Sequence, residues 1–484
     1  MAGDNDDETR GRGSRADSCR SRAGSRRRFL RTLAAGSAGA FVAGCSSLSG
    51  SGDSTPEGSA DGTPSATDGG NADAGTATPP SEATATSTDT ATETATPTDT
   101  ATPTPTRHVD VPDEPRRSSS TFDPADGFAE MAPWLDDDTA VLTVSEPTRA
   151  SLIRAVNQPM PRVVVFETSG TIDLEGERLE IFDGDCWIAG QTAPDPGITL
   201  THGDVAVYGD NCVIQHLRVR PGDAGKESGW EPDSIRTGDG TDNAVVDHCT
   251  ATWSVDENTS PGYESDRTTY TNCLIAEPLR AATHHKGQHN YNMLVGNNAK
   301  RVTVAGNLFV DGVDRNPRLK EGTDSVVVNN AVFHFGDGVW MDPDTRSSVE
   351  GNVYRGKISD KPTVFGEGAA HVVDNDREAD APGSFVGPGI TELDERPLWP
   401  DGLETIPSDE TLDHDFRHAG ARPAARTPHD RRVVEKARSG DYAFVDSQAE
   451  VGGYPDLTVN ERELAVPDTG LRAWLREHAR AVEP

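Results

Sequence analysis

Lysine is scarce in this sequence. Only seven of the 45 Lys and Arg residues are lysine, whereas Asp and Glu number 80 and the formal net charge is −35. A surface this acidic repels phosphate, which excludes nucleic-acid binding through electrostatics. Dense carboxylates with few exposed lysine stems keep a protein soluble in concentrated salt, so we expect a halophilic source. Because lysine is rare, Lys286 and Lys320 each carry more information than a lysine usually does.

Long hydrophobic runs are also lacking. The weakly apolar stretch 30–44 is too short to span a bilayer. It follows "SRRRFLR" at residues 25–31, a twin-arginine export signal, and ends in "VAGC", which is similar to a lipoprotein cleavage box. We predict that residues 1–44 are a signal peptide and that lipid on Cys45 anchors the protein to the outer face of the cell membrane. Cleavage followed by release is the alternative.

Residues 46–106 contain no Lys, Arg or aromatic residue and consist mainly of Thr, Ser, Pro, Ala, Gly and acidic residues. Such a segment buries too little apolar surface to offset its ordering entropy. We predict that residues 45–106 are a disordered linker. Cysteine is rare as well, and no Cys-x-x-Cys pair occurs among the six cysteines, so no zinc site is predicted.

Short β-rich segments recur through the remaining chain, residues 107–484. Intervals near 23 residues, with longer members, indicate a parallel β-helix whose insertions form loops on one side. We therefore predict an all-β solenoid, with a mostly irregular C-terminal wrap over 384–484 that ends in a short helix. Cys249 and Cys273 are either bonded or stacked as buried thiols. When the repeated segments are aligned, one equivalent position, which we call the aligned column, is occupied by Leu217, Cys249, Cys273, Asn307, Asn330 and Asn352.

Several motifs, in order, resemble a known family. They include "WIAGQTAPDPGITL" from Trp187, "VVDHCTATWSVDEN" from Val245, "RNPRL" from Arg315 and "DSQAEVGGYP" from Asp446. Together they are similar to the extracellular pectate lyases of the right-handed parallel β-helix superfamily. The resemblance implies calcium-dependent β-elimination of α-1,4-linked polygalacturonate by a secreted protein, which we expect to be a monomer.

The resemblance also implies roles for individual residues. Arg315 matches the arginine taken as the base that removes the C5 proton. Either Asp256 or Glu257, or both, would reach the ion, and Lys286 would be either a substrate contact or a structural loop residue. The implied calcium ligands are Glu231, Asp233, Asp256 and Glu257, and the implied substrate contacts are Lys286, Arg318 and Lys320.

Two other functions fit the same solenoid. A uronide hydrolase would need paired carboxylates flanking the scissile bond, but the polygalacturonase signatures Asn-Thr-Asp, Gly-His-Gly and Arg-Ile-Lys are absent from the sequence. A non-catalytic polysaccharide-binding protein at the cell surface would need no base, so Arg315 beside an acidic cluster argues against it.

Overall fold

Short parallel strands stacked in three sheets make up the body of the computed structural model, which describes residues 122–224 and 229–484. Each turn of the chain adds one strand to each sheet, as the repeats predict, and the architecture is a parallel β-helix. The predicted signal peptide, the linker and Cys45 lie outside the described residues. No helix within the described residues is both long and apolar enough to cross a bilayer.

The first sheet has eleven strands. They are β1 (Ala140–Val144), β2 (Arg162–Phe166), β5 (Cys186–Ala189), β8 (Cys212–Gln215), β11 (Asp242–Asp247), β14 (Asp266–Thr271), β17 (Lys300–Ala305), β20 (Asp324–Val328), β23 (Arg346–Glu350), β26 (Ala369–Val373) and β28 (Thr391–Glu392).

The second sheet has eight strands and the third has nine. The second contains β4 (Leu179–Ile181), β7 (Val205–Val207), β10 (Ile235–Thr237), β13 (Glu257–Ser260), β16 (Tyr291–Val295), β19 (Arg318–Leu319), β22 (Val339–Met341) and β25 (Val364–Gly366). The third contains β3 (Gly170–Asp173), β6 (Ile198–Thr201), β9 (Leu217–Arg220), β12 (Thr250–Thr252), β15 (Leu274–Ala276), β18 (Leu308–Val310), β21 (Ala331–Phe333), β24 (Val353–Arg355) and β27 (Asp376–Arg377).

Stacks of like residues fill the interior of the solenoid. In the first sheet, Ile188, Ile214 and Val246 lie in register on neighbouring strands and are buried. This arrangement removes apolar surface from water on every turn. The resulting core runs the length of the β-helix, and its stability grows with each added turn.

The aligned column forms a ladder inside the solenoid. Asn307 donates its Nδ2 to Asn330 Oδ1 at 2.9 Å, and Asn330 and Asn352 repeat the bond at the same distance, which continues to Asn375. One rung before, Asn307 Oδ1 accepts the backbone N–H of Cys273. Stacked amides therefore satisfy one another where water has no access.

Cys249 and Cys273 are free and buried one rung apart, which corresponds to the alternative of stacked thiols. Burial raises the pKa of the Cys249 thiol to about 12. Both thiols are therefore held in the protonated, unreactive form.

The C-terminal wrap covers the outer faces of two sheets. Besides the predicted terminal helix, α4 (Leu471–Arg480), it has two helices that the sequence analysis did not predict, α2 (Ser408–His418) and α3 (Pro428–Ser439). Residues of α2 and α3 pack on the third sheet, and Leu471 and Leu475 of α4 pack on the first. Parallel sheets are stable when both faces are covered. The remaining helix, α1 (Arg149–Val156), lies between β1 and β2.

Buried ion pairs fasten α3 to the solenoid. Asp430 accepts hydrogen bonds from Arg218 Nε at 2.8 Å and from Arg220 at 2.5 Å, and all three side chains are buried. Removing one partner of such a group leaves an unpaired charge in the interior. The wrap is thus tied to the third sheet by charge as well as by apolar packing.

Candidate active site

The predicted site residues lie on successive rungs of the second sheet. Asp233 lies two residues before β10, Asp256 immediately precedes β13, and Glu257 is the first residue of β13. Arg315 lies before β19, two rungs further along. Because strands stack about 4.8 Å apart, residues distant in sequence meet on one side of the solenoid.

One cavity of about 270 Å³ collects most of these residues. The structure brings seven of the eight predicted side chains to its wall, and Glu231 is the exception. The seven are Asp233, Asp256, Glu257, Lys286, Arg315, Arg318 and Lys320. His289 and Arg236 also line it.

Three carboxylates converge on one side of the cavity. Asp233, Asp256 and Glu257 each place one oxygen within 4.8 Å of the other two. Burial, and then the charge of Asp256, raise the pKa of Asp233 to about 8. Closely spaced buried carboxylates of this kind suit a hard divalent cation with oxygen ligands, so the residues present fit calcium.

Glu231, the fourth predicted calcium ligand, lies in a different group. Its Oε1 accepts the backbone N–H of His285 at 2.8 Å and contacts His285 Nδ1 at 2.7 Å. Burial alone would raise the pKa of Glu231, but the hydrogen bonds from His285 and the charges of His284 and His285 outweigh it and lower the pKa. The oxygen cluster therefore consists of Asp233, Asp256 and Glu257 without Glu231.

Arg315 lies between the acidic cluster and an aromatic ring. Its guanidinium forms an ion pair with Glu257, and its Cζ lies 4.0 Å from the ring centroid of Tyr291. Burial, together with the positive charge of Arg318, lowers the pKa of Arg315 to about 10 although Asp256 opposes the shift. The guanidinium is therefore easier to deprotonate than a solvated arginine.

The other three cations differ in how they are held. Arg318 and Lys320 share Asp342, at 3.0 and 3.4 Å, and the Arg318 guanidinium also lies 3.5 Å from the ring centroid of Trp340. Lys286 is exposed, and within the described residues its Nζ forms no ion pair. Lys286 is thus the cation of this group that is most available to an incoming anion.

The sequence analysis missed two histidines at this site. His289 Nε2 lies 2.7 Å from Asp256 Oδ1, and His284 stacks on His289 with the ring centroids 3.8 Å apart. For His289 a signal was present, because His285 and His289 form a His-x-x-x-His pair of the kind that metal sites use. The prediction of no zinc site overlooked this pair. No sequence motif marks Asp342 or Tyr291 as site residues, because each reaches the site only through contacts with residues of a neighbouring rung.

Comparisons with known proteins bear on this site. No protein-family model matches the chain. It is 26% identical over 339 residues to "Probable pectate lyase C" of Aspergillus oryzae, covering 66% of this chain and 77% of the relative. It is also 26% identical over 369 residues to the protein of the same name from Emericella nidulans, covering 72% and 84%.

Solved structures with similar folds include a mutant pectate lyase of Bacillus subtilis. It has a TM-score of 0.47 and 13% identity, and the match covers 63% of this chain and 99% of that one. The major allergen of cedar pollen has a TM-score of 0.47 and 14% identity, with 61% and 92% covered. The sequence relatives support a pectate-lyase-like protein.

Proposed function

We propose that this protein is a calcium-dependent lyase that cleaves polygalacturonate, or a similar acidic polysaccharide, by β-elimination. One observation carries the proposal: Asp233, Asp256 and Glu257 share a cavity with Arg315. Fungal relatives that are named probable pectate lyases support it. Lys286, Arg318 and Lys320 line the same cavity and would bind the carboxylates of the polyanion.

In the proposed reaction, Arg315 is the base that removes the C5 proton. A calcium ion held by the three carboxylates would neutralise the substrate carboxylate and make the adjacent C5 proton more acidic. Neutral Arg315 takes the C5 proton, a double bond forms between C4 and C5, and the C4–O bond breaks. The leaving oxygen takes a proton from water. Because Arg315 is paired with Glu257, it acts as a base only after that carboxylate turns away.

Placement outside the cell belongs to the same proposal. The sequence of residues 25–45 supports twin-arginine export and a lipid on Cys45, with residues 45–106 as a linker between the anchor and the β-helix. A polysaccharide substrate too large to enter a cell is accessible from that position. We propose that the protein acts there as a monomer.

An assay on polygalacturonate in molar salt tests the function. We expect the ultraviolet absorbance of 4,5-unsaturated uronides to rise with calcium, to stop after chelation with EGTA and to return when calcium is restored. Asp233→Asn should abolish the signal because it removes one of the three carboxylates, whereas the exposed Asp344→Asn should not.

The same assay separates the alternatives. Shortened chains without the unsaturated bond would mean hydrolysis. Binding without any shortening would mean a non-catalytic polysaccharide-binding protein. Full activity in EGTA would contradict the calcium part of the proposal while leaving the lyase part intact.

A further inference from the structure

Three of the 13 histidines of the chain lie within six residues, in the loop that precedes β16. We call His284, His285 and His289 the histidine cluster. His284 and His289 are buried, and the cluster faces two acidic side chains, Asp256 and Glu231. This grouping is not explained by the oxygen cluster, which needs no imidazole.

Carboxylate oxygens lie close to the ring nitrogens of His284 and His289. His284 Nε2 lies 3.7 Å from Glu231 Oε2 and 3.9 Å from Asp256 Oδ1, both too long for hydrogen bonds. His289 Nε2 lies 2.7 Å from the same Asp256 oxygen. Asp256, His284 and His289 each place one donor atom within 4.8 Å of the other two. The two imidazole rings stack with their centroids 3.8 Å apart, so one ring has to turn before both nitrogens point at one ion.

The kinds of ligand atom in the histidine cluster indicate which metal it would bind. Calcium and magnesium take oxygen ligands, whereas imidazole nitrogen favours zinc, cobalt, nickel and copper. Two buried imidazoles with the Asp256 carboxylate therefore offer a site of different chemistry from Asp233, Asp256 and Glu257. Asp256 belongs to both groups, and it would join them through its two oxygens.

We propose that Asp256, His284 and His289 bind a first-row transition-metal ion such as Zn²⁺, beside the oxygen cluster. The inference does not depend on lyase activity.

Binding has a structural consequence for the loop. His284 Nδ1 accepts the backbone N–H of Lys286 at 3.1 Å, so Nε2 carries the ring hydrogen in the metal-free protein. When Nε2 binds a metal, the ring hydrogen must move to Nδ1, and the contact with the Lys286 backbone must open. The metal would therefore shift the loop that carries the exposed Lys286.

Cobalt is a suitable probe because its visible absorption reports imidazole coordination. We expect the full chain to bind one Co²⁺ with an absorption band typical of nitrogen ligands. His289→Gln and His284→Gln should each weaken Co²⁺ binding at least tenfold. His202→Gln is the matched control, since His202 pairs with Asp173 at 2.9 Å outside the cluster and should bind Co²⁺ as the wild type does.

Asp233→Asn distinguishes the two groups of ligands. Asp233 belongs only to the oxygen cluster, so its loss should leave the Co²⁺ band in place. Loss of the band in Asp233→Asn with retention in His289→Gln would overturn the proposal, because the ion would then occupy the oxygen cluster. Equal Co²⁺ affinity in all variants would overturn it too.

A measurement on the wild type guards against variants that fail to fold. Paramagnetic Co²⁺ shifts the imidazole N–H resonances of its ligands far outside the usual proton range. Two such exchangeable resonances in the Co²⁺-loaded wild type are expected. Fewer than two would contradict coordination by both His284 and His289.

Discussion

At the scale of single residues, the proposed mechanism depends most on Arg315. Its guanidinium is enclosed by Glu257 and the Tyr291 ring, and its pKa is lowered to about 10, first by burial. Arg318 is the cation that contributes to this shift. Lys320, an implied substrate contact, pairs with Asp342 at 3.4 Å.

Replacing Arg315 by Lys tests the base. The substitution keeps a positive charge but moves the nitrogen that must reach the C5 proton. We expect kcat to fall at least about a hundredfold with little change in KM. Arg301→Lys, in an exposed ion pair with Asp266, is the matched control and should keep normal activity. Near-normal kcat in Arg315→Lys would place the base elsewhere.

The lowered pKa of Arg315 predicts the direction in which activity changes with pH. A base must be deprotonated to act, so the active fraction of Arg315 increases as pH rises towards its pKa of about 10. We expect kcat/KM to rise with pH from neutrality up to about 10. A profile that instead falls across this range would exclude an arginine base.

At the scale of elements, the asparagine ladder links consecutive turns. The Asn330 amide bonds to the side chains above and below it and donates to Val304 O at 3.0 Å, and it is buried. An unsatisfied buried amide costs about 1–3 kcal/mol. The ladder therefore specifies register between rungs as well as stability.

Asn330→Ala should lower the free energy of unfolding by about 2–4 kcal/mol, because several buried partners lose their hydrogen bonds at once. Asn375→Ala, at the half-exposed end of the ladder, is the control and should cost less because water can replace the lost bonds. Thermal or urea unfolding followed by circular dichroism measures both. Equal losses would mean that burial of the ladder is unimportant.

At the scale of the whole molecule, a strongly acidic chain places several cations around one cavity. A chain with net charge −35 lines this cavity with Lys286, Arg315, Arg318 and Lys320, beside the three carboxylates. The cavity lies along the second sheet, while the wrap covers the other two sheets with α2, α3 and α4. The proposed lyase would therefore bind its polyanion on the side of the solenoid that α2, α3 and α4 leave uncovered.

The predicted anchor is also a property of the whole chain. In Cys45→Ser, the lipid acceptor is lost, so we expect the protein in the medium or unprocessed in the cell instead of in the membrane fraction. Cys19→Ser, which lies within the predicted signal, is the control and should leave partitioning unchanged. Cell fractionation with immunoblotting measures the outcome. Unchanged membrane association of Cys45→Ser would argue against the lipid.

The sequence by itself determined the solenoid, because a repeat near 23 residues requires each turn to stack on the last. The sequence also placed Cys249, Cys273, Asn307 and Asn330 in the aligned column, because stacking in that column depends only on the register between neighbouring strands. The order of motifs was sufficient to place Asp233, Asp256 and Arg315 near one another, since all three lie beside strands of one sheet.

Only the tertiary structure decided the partners of these side chains. Glu231 turns to His285 and Arg315 turns to Glu257, and neither pairing follows from spacing. Glu231 and His285 lie in insertions between strands, and the Arg315 side chain meets a residue of another rung. The helices of the wrap depend on contacts with distant rungs, such as Asp430 with Arg218. A repeat constrains what lies in the strands, whereas loop conformation is set by contacts between rungs that a linear pattern does not contain.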